Sequence, residues 1–210
     1  MKIAVINEIS AYDKNNAIIE ALKIFEDNGH SVINAGMKKS DSEPELTYID
    51  TGFLAALLIN TGRADFIVGG CGTGQGFLNS VMQYPGVFCG LIESPLDAWL
   101  FTQINGGNCI SLALNKGFGW AGDINLKFIF ERLINAESGG GYPPHRVESQ
   151  KQSRSALSGI SKATHLSFSE IVSKIDKSII GKVLSFPGVR DILDIETLKN
   201  KDLKLALSIF

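Results

Sequence analysis

The residues with the clearest chemical potential lie in one run, Gly69-Gly70-Cys71-Gly72-Thr73-Gly74-Gln75-Gly76. Glycines allow positive φ and close approach of the backbone to a ligand. Successive N–H groups entering a helix can hold an anion. Three familiar glycine loops do not fit. A Walker loop needs Gly-Lys-Ser/Thr after its spacer, and no lysine follows. A dinucleotide fingerprint needs a glycine where Gln75 or Phe77 stands. A cysteine phosphatase loop carries arginine six residues after the cysteine, where this chain has Phe77. A thiol among glycines, without lysine or arginine, suits a small oxyanion and a moving proton.

That combination is what enediolate chemistry requires. An aldose–ketose isomerase removes a proton beside a carbonyl, stabilises the enediolate and returns the proton one carbon away. It needs a base titrating near about 7 and fixed donors facing the oxyanion. A thiol at a helix amino terminus can be drawn toward that range. Cys71 is thus the expected base, and the N–H groups of Gly72 to Gly76 the expected oxyanion donors. Cys89 and Cys109, each inside an apolar segment, read as packing residues. His30, His145 and His165 are far apart, and none forms a Cys/His cluster with zinc-ligand spacing. No metal and no cofactor is expected.

These residues need a scaffold. Short apolar runs alternate with amphipathic stretches, the pattern of βα units around a parallel sheet. Strands are expected at Lys2 to Asn7, around Val32 to Asn34, at Phe66 to Val68, from Val87 to Leu91 and from Cys109 to Ala113. Helices are expected at about 13–27, from about Thr47, from Ser94-Pro95 (an N-cap followed by the first helical residue) and at about 123–135. The Cys71 loop then falls where a strand hands over to a helix. In open parallel sheets ligands bind at that end. After Gly139-Gly140-Gly141-Tyr142-Pro143-Pro144 the alternation stops. An α/β core is expected over 1–146 and a helical extension over 147–210, wrapping the core or a second subunit. The extension's charges are interleaved, as on a solvated face rather than a basic binding tail.

Composition narrows the function. The 210 residues are 44% apolar with a net charge of −2. That is enough for one full core plus an appendage, and it gives no basic field for a nucleic-acid backbone. No apolar run is long enough to span a bilayer. The amino terminus enters a strand-like segment rather than a signal peptide. Three cysteines without paired spacing argue against a disulfide framework. A cytoplasmic location is expected, without nucleic-acid or membrane partners.

At these residues the chain resembles the ribose-5-phosphate isomerase B / galactose-6-phosphate isomerase family. The likeness covers about residues 1–155. It rests on the Cys71-Gly72-Thr73-Gly74 loop, on Tyr84-Pro85-Gly86 before the fourth strand, and on a glycine-rich turn with basic residues near the end of the core. It implies a doubly wound, Rossmann-like, five-stranded parallel sheet and a homodimer with the site at the subunit interface. It implies Cys71 as base, with Thr73 beside it, and Gly72, Gly74 and Gly76 facing the oxyanion. Lys116 lies at or beside the place of a phosphate-gripping arginine, and His145 and Arg146 lie near a terminal His/Arg cluster. Relatives place Asp-His after the first strand and His-Asn after the fourth helix; here the pairs are Glu8-Ile9 and Ile104-Asn105. Glu8 and Asn105 remain as substrate-binding candidates, Glu8 with solvent exposure as its alternative. Met82 stands where relatives have an asparagine. Phe118 and Trp120 read as packing or interface residues. QINGGN (103–108), KGFGW (116–120), FERL (130–133) and GGGYP (139–143) resemble the uronate ketol-isomerase branch. That branch converts 4-deoxy-L-threo-5-hexosulose uronate into 3-deoxy-D-glycero-2,5-hexodiulosonate. The expected ligand is a small acidic sugar. The rival readings are a sugar-phosphate isomerase and an anion- or nucleotide-binding module without turnover.

Overall fold

A computed structural model describes residues 1–210. Its five strands are β1 (Lys2–Asn7), β2 (Ser31–Asn34), β3 (Phe66–Cys71), β4 (Cys89–Ile92) and β5 (Cys109–Ala113). All pair in parallel, in the order β2-β1-β3-β5-β4. From β1 the chain moves outward to β2. It then returns across β1 to β3 and continues on the other side, so the direction of winding reverses between β1 and β3. The crevice beyond their carboxyl ends is therefore the place for a ligand. The register Asn7↔Gly70 brings those two ends level.

Helices cover both faces. On one lie α1 (Asn15–Ala21), α2 (Lys23–Asp27), α5 (Pro95–Leu100) and α6 (Gly122–Asn135), around Val5, Val68, Ile110 and Phe130. On the other lie α3 (Tyr48–Asn60) and α4 (Gln75–Val81), around Ile6, Ile67, Phe53 and Phe77. Expected positions hold closely for α3, α5 and α6, and Ser94 caps α5 with Pro95 at its first position. The segment 13–27 differs. It begins as a 3-10 turn (Ile9–Lys14), and the helix then breaks at Leu22, whose ψ is −6°. Leu22 and Phe25, three residues apart, are buried in the same cluster on either side of the break. β4 starts two residues later than expected, because the Phe88 N–H donates to the Asn108 side chain at 2.9 Å instead of a strand neighbour.

The last 64 residues are helical: α7 (Val147–Thr164), α8 (Phe168–Lys174), α9 (Lys177–Ser185), α10 (Val189–Leu193) and α11 (Lys201–Ser208). They explain why α3 carries the run Phe53 to Leu58, every residue of which is buried. A helix apolar on all sides needs cover on all sides. The sheet supplies one side and α8 to α11 supply the other. Phe168 stacks on Phe53 at 6.2 Å, and Phe168, Ile180, Val183 and Leu207 share one cluster with the sheet. Asp50 ties the layers. Its carboxylate accepts from the Thr47 N–H at 2.8 Å, closing the α3 capping box, and from Lys182 of α9 at 2.8 Å. α7 stands apart, with no buried residue. No helix is long and apolar enough to cross a membrane.

Asp50 is 3% exposed, so removing its charge strands both a helix start and Lys182. Breaking one side of a buried ion pair costs about 3–5 kcal/mol, and Lys182 is partly solvated. Asp50→Ala is therefore expected to lower unfolding free energy by about 3 kcal/mol, as read by urea denaturation. Lys182→Met is expected to cost less.

Candidate active site

Strand pairing and glycine packing fix the centre of the site. A Cβ on Gly69 would stand 2.1 Å from the Phe77 ring, and one on Gly70 2.5 Å from the Leu112 carbonyl. These two glycines let α4 and β5 close on β3. Gly74 has φ +76°, and a Cβ there would meet Leu91 at 2.5 Å. Together they hold Cys71 at the end of β3 and turn the chain straight into α4. Cys71 is 6% exposed, on the sheet face shared with Ile67 and α3. Thr73 is exposed at the tip of the loop. Gly76 lies under the Tyr48 ring, where a Cβ would come within 3.0 Å.

Three chain segments meet around this loop. The Gly72 N–H donates to Ser10 Oγ at 3.0 Å, and the Ser10 hydroxyl donates to the Glu8 carboxylate. The Asn115 side chain donates to the Ser10 carbonyl at 2.6 Å, and the Asn115 N–H donates to the Gly72 carbonyl at 2.9 Å. The ends of β1, β3 and β5 are thereby cross-linked. The Gly72 N–H, expected to face an oxyanion, is engaged by Ser10 at 3.0 Å, and the Gln75 N–H donates to the Thr73 hydroxyl at 3.4 Å.

Glu8 is 5% exposed, so solvent exposure, its alternative, does not hold. Burial raises its pKa above the usual 4.5, and hydrogen bonds from the backbone of Ser10 and Gly72 oppose the rise in part. Lys116 belongs to this end of the sheet but pairs with Glu93 at 2.7 Å. It lines a notch of ≈ 40 Å³, well below the roughly 300–1,000 Å³ of ligand pockets.

The remaining candidates lie elsewhere. Asn105 and Arg146 line a cleft of ≈ 560 Å³ with Met82, Cys89, Ile104 and Leu157. That cleft opens at the amino-terminal ends of β4 and β5, since Phe88 and Gly106 belong to its wall. The start of β5 lies four residues from the level of Cys71, roughly 13 Å along the strand. Arg154 also lines the cleft, but its guanidinium is occupied by the Ile104 and Gly139 carbonyls at 2.9 and 2.8 Å. The Arg146 guanidinium hydrogen-bonds only Ser149, at 3.2 Å, through Nε. His145 precedes it in a short exposed turn. Phe118 packs over Gly122 and beneath the Lys14 ammonium at 5.1 Å, as a packing residue. Trp120 does not pack within the chain, being 101% exposed.

Ser10, Asn115 and Tyr48 were not singled out by sequence. Ser10 and Asn115 carry a readable signal, since each lies just beyond the end of an expected strand. Tyr48 gives none, because only the α3–α4 contact brings it over Gly76.

The ribose/galactose isomerase family model matches residues 3–148. No curated protein sequence matches the chain. Among solved structures, a 4-deoxy-L-threo-5-hexosulose-uronate ketol-isomerase complexed with a tartrate is 38% identical. It covers 100% of this chain and 98% of its own, with a TM-score of 0.94. A ribose-5-phosphate isomerase from Vibrio parahaemolyticus is 36% identical over 100% of this chain and 98% of its own, at 0.93. The ribose-5-phosphate isomerase of Thermotoga maritima is 22% identical over 72% of this chain and 97% of its own, at 0.57, and shares the fold.

Glu8 also gives a stability signature. Between 4.5 and its raised value the folded state holds the carboxyl proton more tightly than the unfolded chain. Stability is therefore lost as pH rises through that window. Glu8→Gln has no such loss, so its stability relative to the natural chain is expected to improve from pH 4 to pH 7. Urea unfolding at both pH values checks the sign.

Proposed function

The chain belongs to the ribose/galactose isomerase family, and on that premise we propose that this aldose–ketose isomerase acts on 4-deoxy-L-threo-5-hexosulose uronate. The observation that carries the substrate is the pair of isoleucines where ring-opening histidines would stand. Ile9 packs against the core, and Ile104 lines the Arg146 cleft. Ribose-5-phosphate closes its ring through the C4 hydroxyl and galactose-6-phosphate through the C5 hydroxyl. Opening either ring needs a proton carrier near neutral pKa, for which histidine is the natural choice. The 4-deoxy-5-keto uronate has no C4 hydroxyl and a carbonyl at C5, so it forms neither ring. The tartrate bound by the uronate ketol-isomerase, a hydroxylated dicarboxylate, is a further reason to favour an acid over a phosphate ester.

In this reading the Cys71 thiolate removes the proton beside the carbonyl, and the Thr73-to-Gly76 stretch faces the developing oxyanion. Gly72 fixes the loop, and Asn105 and Arg146, with His145 beside them, hold the carboxylate end. Lys116 has a lesser part because Glu93 already neutralises it. No six-carbon acid reaches from Cys71 to Arg146 within one chain, so the complete site is formed between two copies. α7 supplies a surface for that contact. It leaves Leu157 51% and Ile160 56% exposed, and Met82 at the edge of the same cleft is 44% exposed. The wholly exposed Trp120 fits the same contact. The family match ends at 148, which supports an isomerase core over 1–146 and an extension over 147–210. No step of this scheme calls for a metal or a cofactor, and no nucleic-acid or membrane partner enters it. It is a cytoplasmic metabolic enzyme in this reading.

Three outcomes are expected. The uronate is turned over with the highest kcat/KM in side-by-side assays against ribose-5-phosphate and galactose-6-phosphate; a better rate on either phosphate overturns the substrate. Cys71→Ala folds by circular dichroism and loses about 10²–10⁴ in kcat, along with solvent deuterium uptake beside the carbonyl. A module that only binds takes up none in either form. Finally, Cys71→Ala and Arg146→Ala, each impaired alone, regain activity on mixing. Random pairing in a two-fold dimer makes half the dimers mixed, each with one intact site, or about a quarter of natural activity. If no activity returns after subunit exchange, each site lies within one chain.

A further inference from the structure

An aldose–ketose isomerisation moves two protons. One leaves carbon and returns to the neighbouring carbon. The other must leave one oxygen and reach the other. A single thiolate accounts for the first transfer and leaves the second without a carrier.

The ends of β1 and β3 place one candidate beside Cys71. The register Asn7↔Gly70 sets Glu8 level with Cys71 on adjacent strands. Glu8 keeps extended backbone, with φ −91° and ψ 173°, so strand alternation continues through it. Ala4 and Ile6 face the same core cluster as Ile67 and Cys71. Glu8 is next in that alternation and shares their face. Neighbouring strands lie about 4.7–4.9 Å apart, which sets the two side chains side by side. The carboxylate accepts the Ser10 hydroxyl, which in turn accepts the Gly72 N–H, and the adjacent backbone of Ser10 and Gly72 favours its ionised form. No cation acts on it. Burial is the largest influence on its proton affinity, the backbone of Ser10 and Gly72 opposes it, and Asn115 from the end of β5 is uncharged.

We propose that Glu8 is the second proton carrier, moving the hydroxyl proton between the two substrate oxygens, with Ser10 as its positioning residue. The step balances. The Cys71 thiolate takes the proton from C2 of the aldose, and the electron pair forms the C1–C2 double bond and leaves negative charge on O1. The Glu8 carboxylate takes the proton from the O2 hydroxyl and delivers it to O1. The charge now on O2 collapses to the C2 carbonyl as C1 takes the proton back from the Cys71 thiol. Both residues end as they began, and no oxidant or cofactor enters. A carboxylate raised toward the working pH is better matched to this exchange than an ordinary one. The proposal deepens the isomerase reading and rests on it.

The test separates the two transfers on the uronate. In Glu8→Gln, kcat is expected to fall about 10²–10³-fold with KM little changed. Solvent deuterium exchange at C2 should fall far less, because Cys71 still forms the enediolate. The ratio of exchange to turnover therefore rises at least about tenfold. Glu8→Asp recovers part of kcat, and Ser10→Ala moves the acid limb of the kcat–pH profile. A folded Glu8→Gln variant with natural kcat overturns the proposal. So does a parallel fall of exchange and turnover, which is what a merely structural residue gives. If the natural enzyme neither exchanges nor isomerises the uronate while it turns over a sugar phosphate, the substrate reading fails instead, and the same ratio measured on that phosphate decides Glu8.

Discussion

The pairing of β1 with β3 is the constraint on which the rest of the site depends. Ile3 to Asn7 lie level with Phe66 to Gly70, so the next residue of each strand emerges at one height and on one face. Everything that follows β3 is shaped to keep this arrangement. A side chain at 69 would push α4 off the sheet through Phe77, and one at 70 would push β5 away through Leu112. The Ser10–Gly72 and Asn115–Ser10 hydrogen bonds then fasten the loops that leave β1, β3 and β5. The glycine run is therefore first a packing device. In the proposed reading the part that faces an anion begins beyond Gly72, whose N–H is held by Ser10.

The same geometry underlies the proposal that the site is completed by a second copy. A parallel strand carries its beginning and its end to opposite edges of the sheet. Cys71 closes β3, whereas Asn105 and Arg146 gather where β4 and β5 begin. The two sets are brought together by symmetry more readily than by bending the sheet. α7 is consistent with that arrangement. Its neighbours α8 to α11 bury their apolar faces against α3, while α7 buries none of its own.

How much of this was legible follows from the range of each interaction. β1 and β5 lie where alternation placed them, whereas β3 runs three residues further than expected, through Cys71, and β4 starts two residues later. The fold class and the helical extension follow from the same periodicities. The break at Leu22 has no proline or glycine to announce it, and Leu22 and Phe25, three residues apart, would share a face of an unbroken helix as well. The roles of Ser10 and Asn115 depend on which strands are neighbours, and the order β2-β1-β3-β5-β4 is not written in any single segment. Lys116 shows the reverse failure. Its charge was visible, but its partner Glu93 stands at the end of a different strand, and their contact exists only in the folded sheet.

Charge placement then follows from chemistry. A carboxylate that exchanges protons near neutral pH must be free of close cations, because a nearby Lys or Arg holds it ionised and weakens it as a base. An acidic substrate nevertheless needs a cation at its far end. The glycine loop carries no lysine or arginine, Lys116 is matched by Glu93, and Arg146, whose guanidinium hydrogen-bonds only Ser149, lies where β4 and β5 begin. In the proposed two-chain site the substrate's carbon chain spans the gap between them. Cation and base can then act on one molecule without acting on each other. Burial of Glu8 costs folding stability, and it is retained because moving the carboxylate into solvent would return it to ordinary acidity and uncouple it from Cys71.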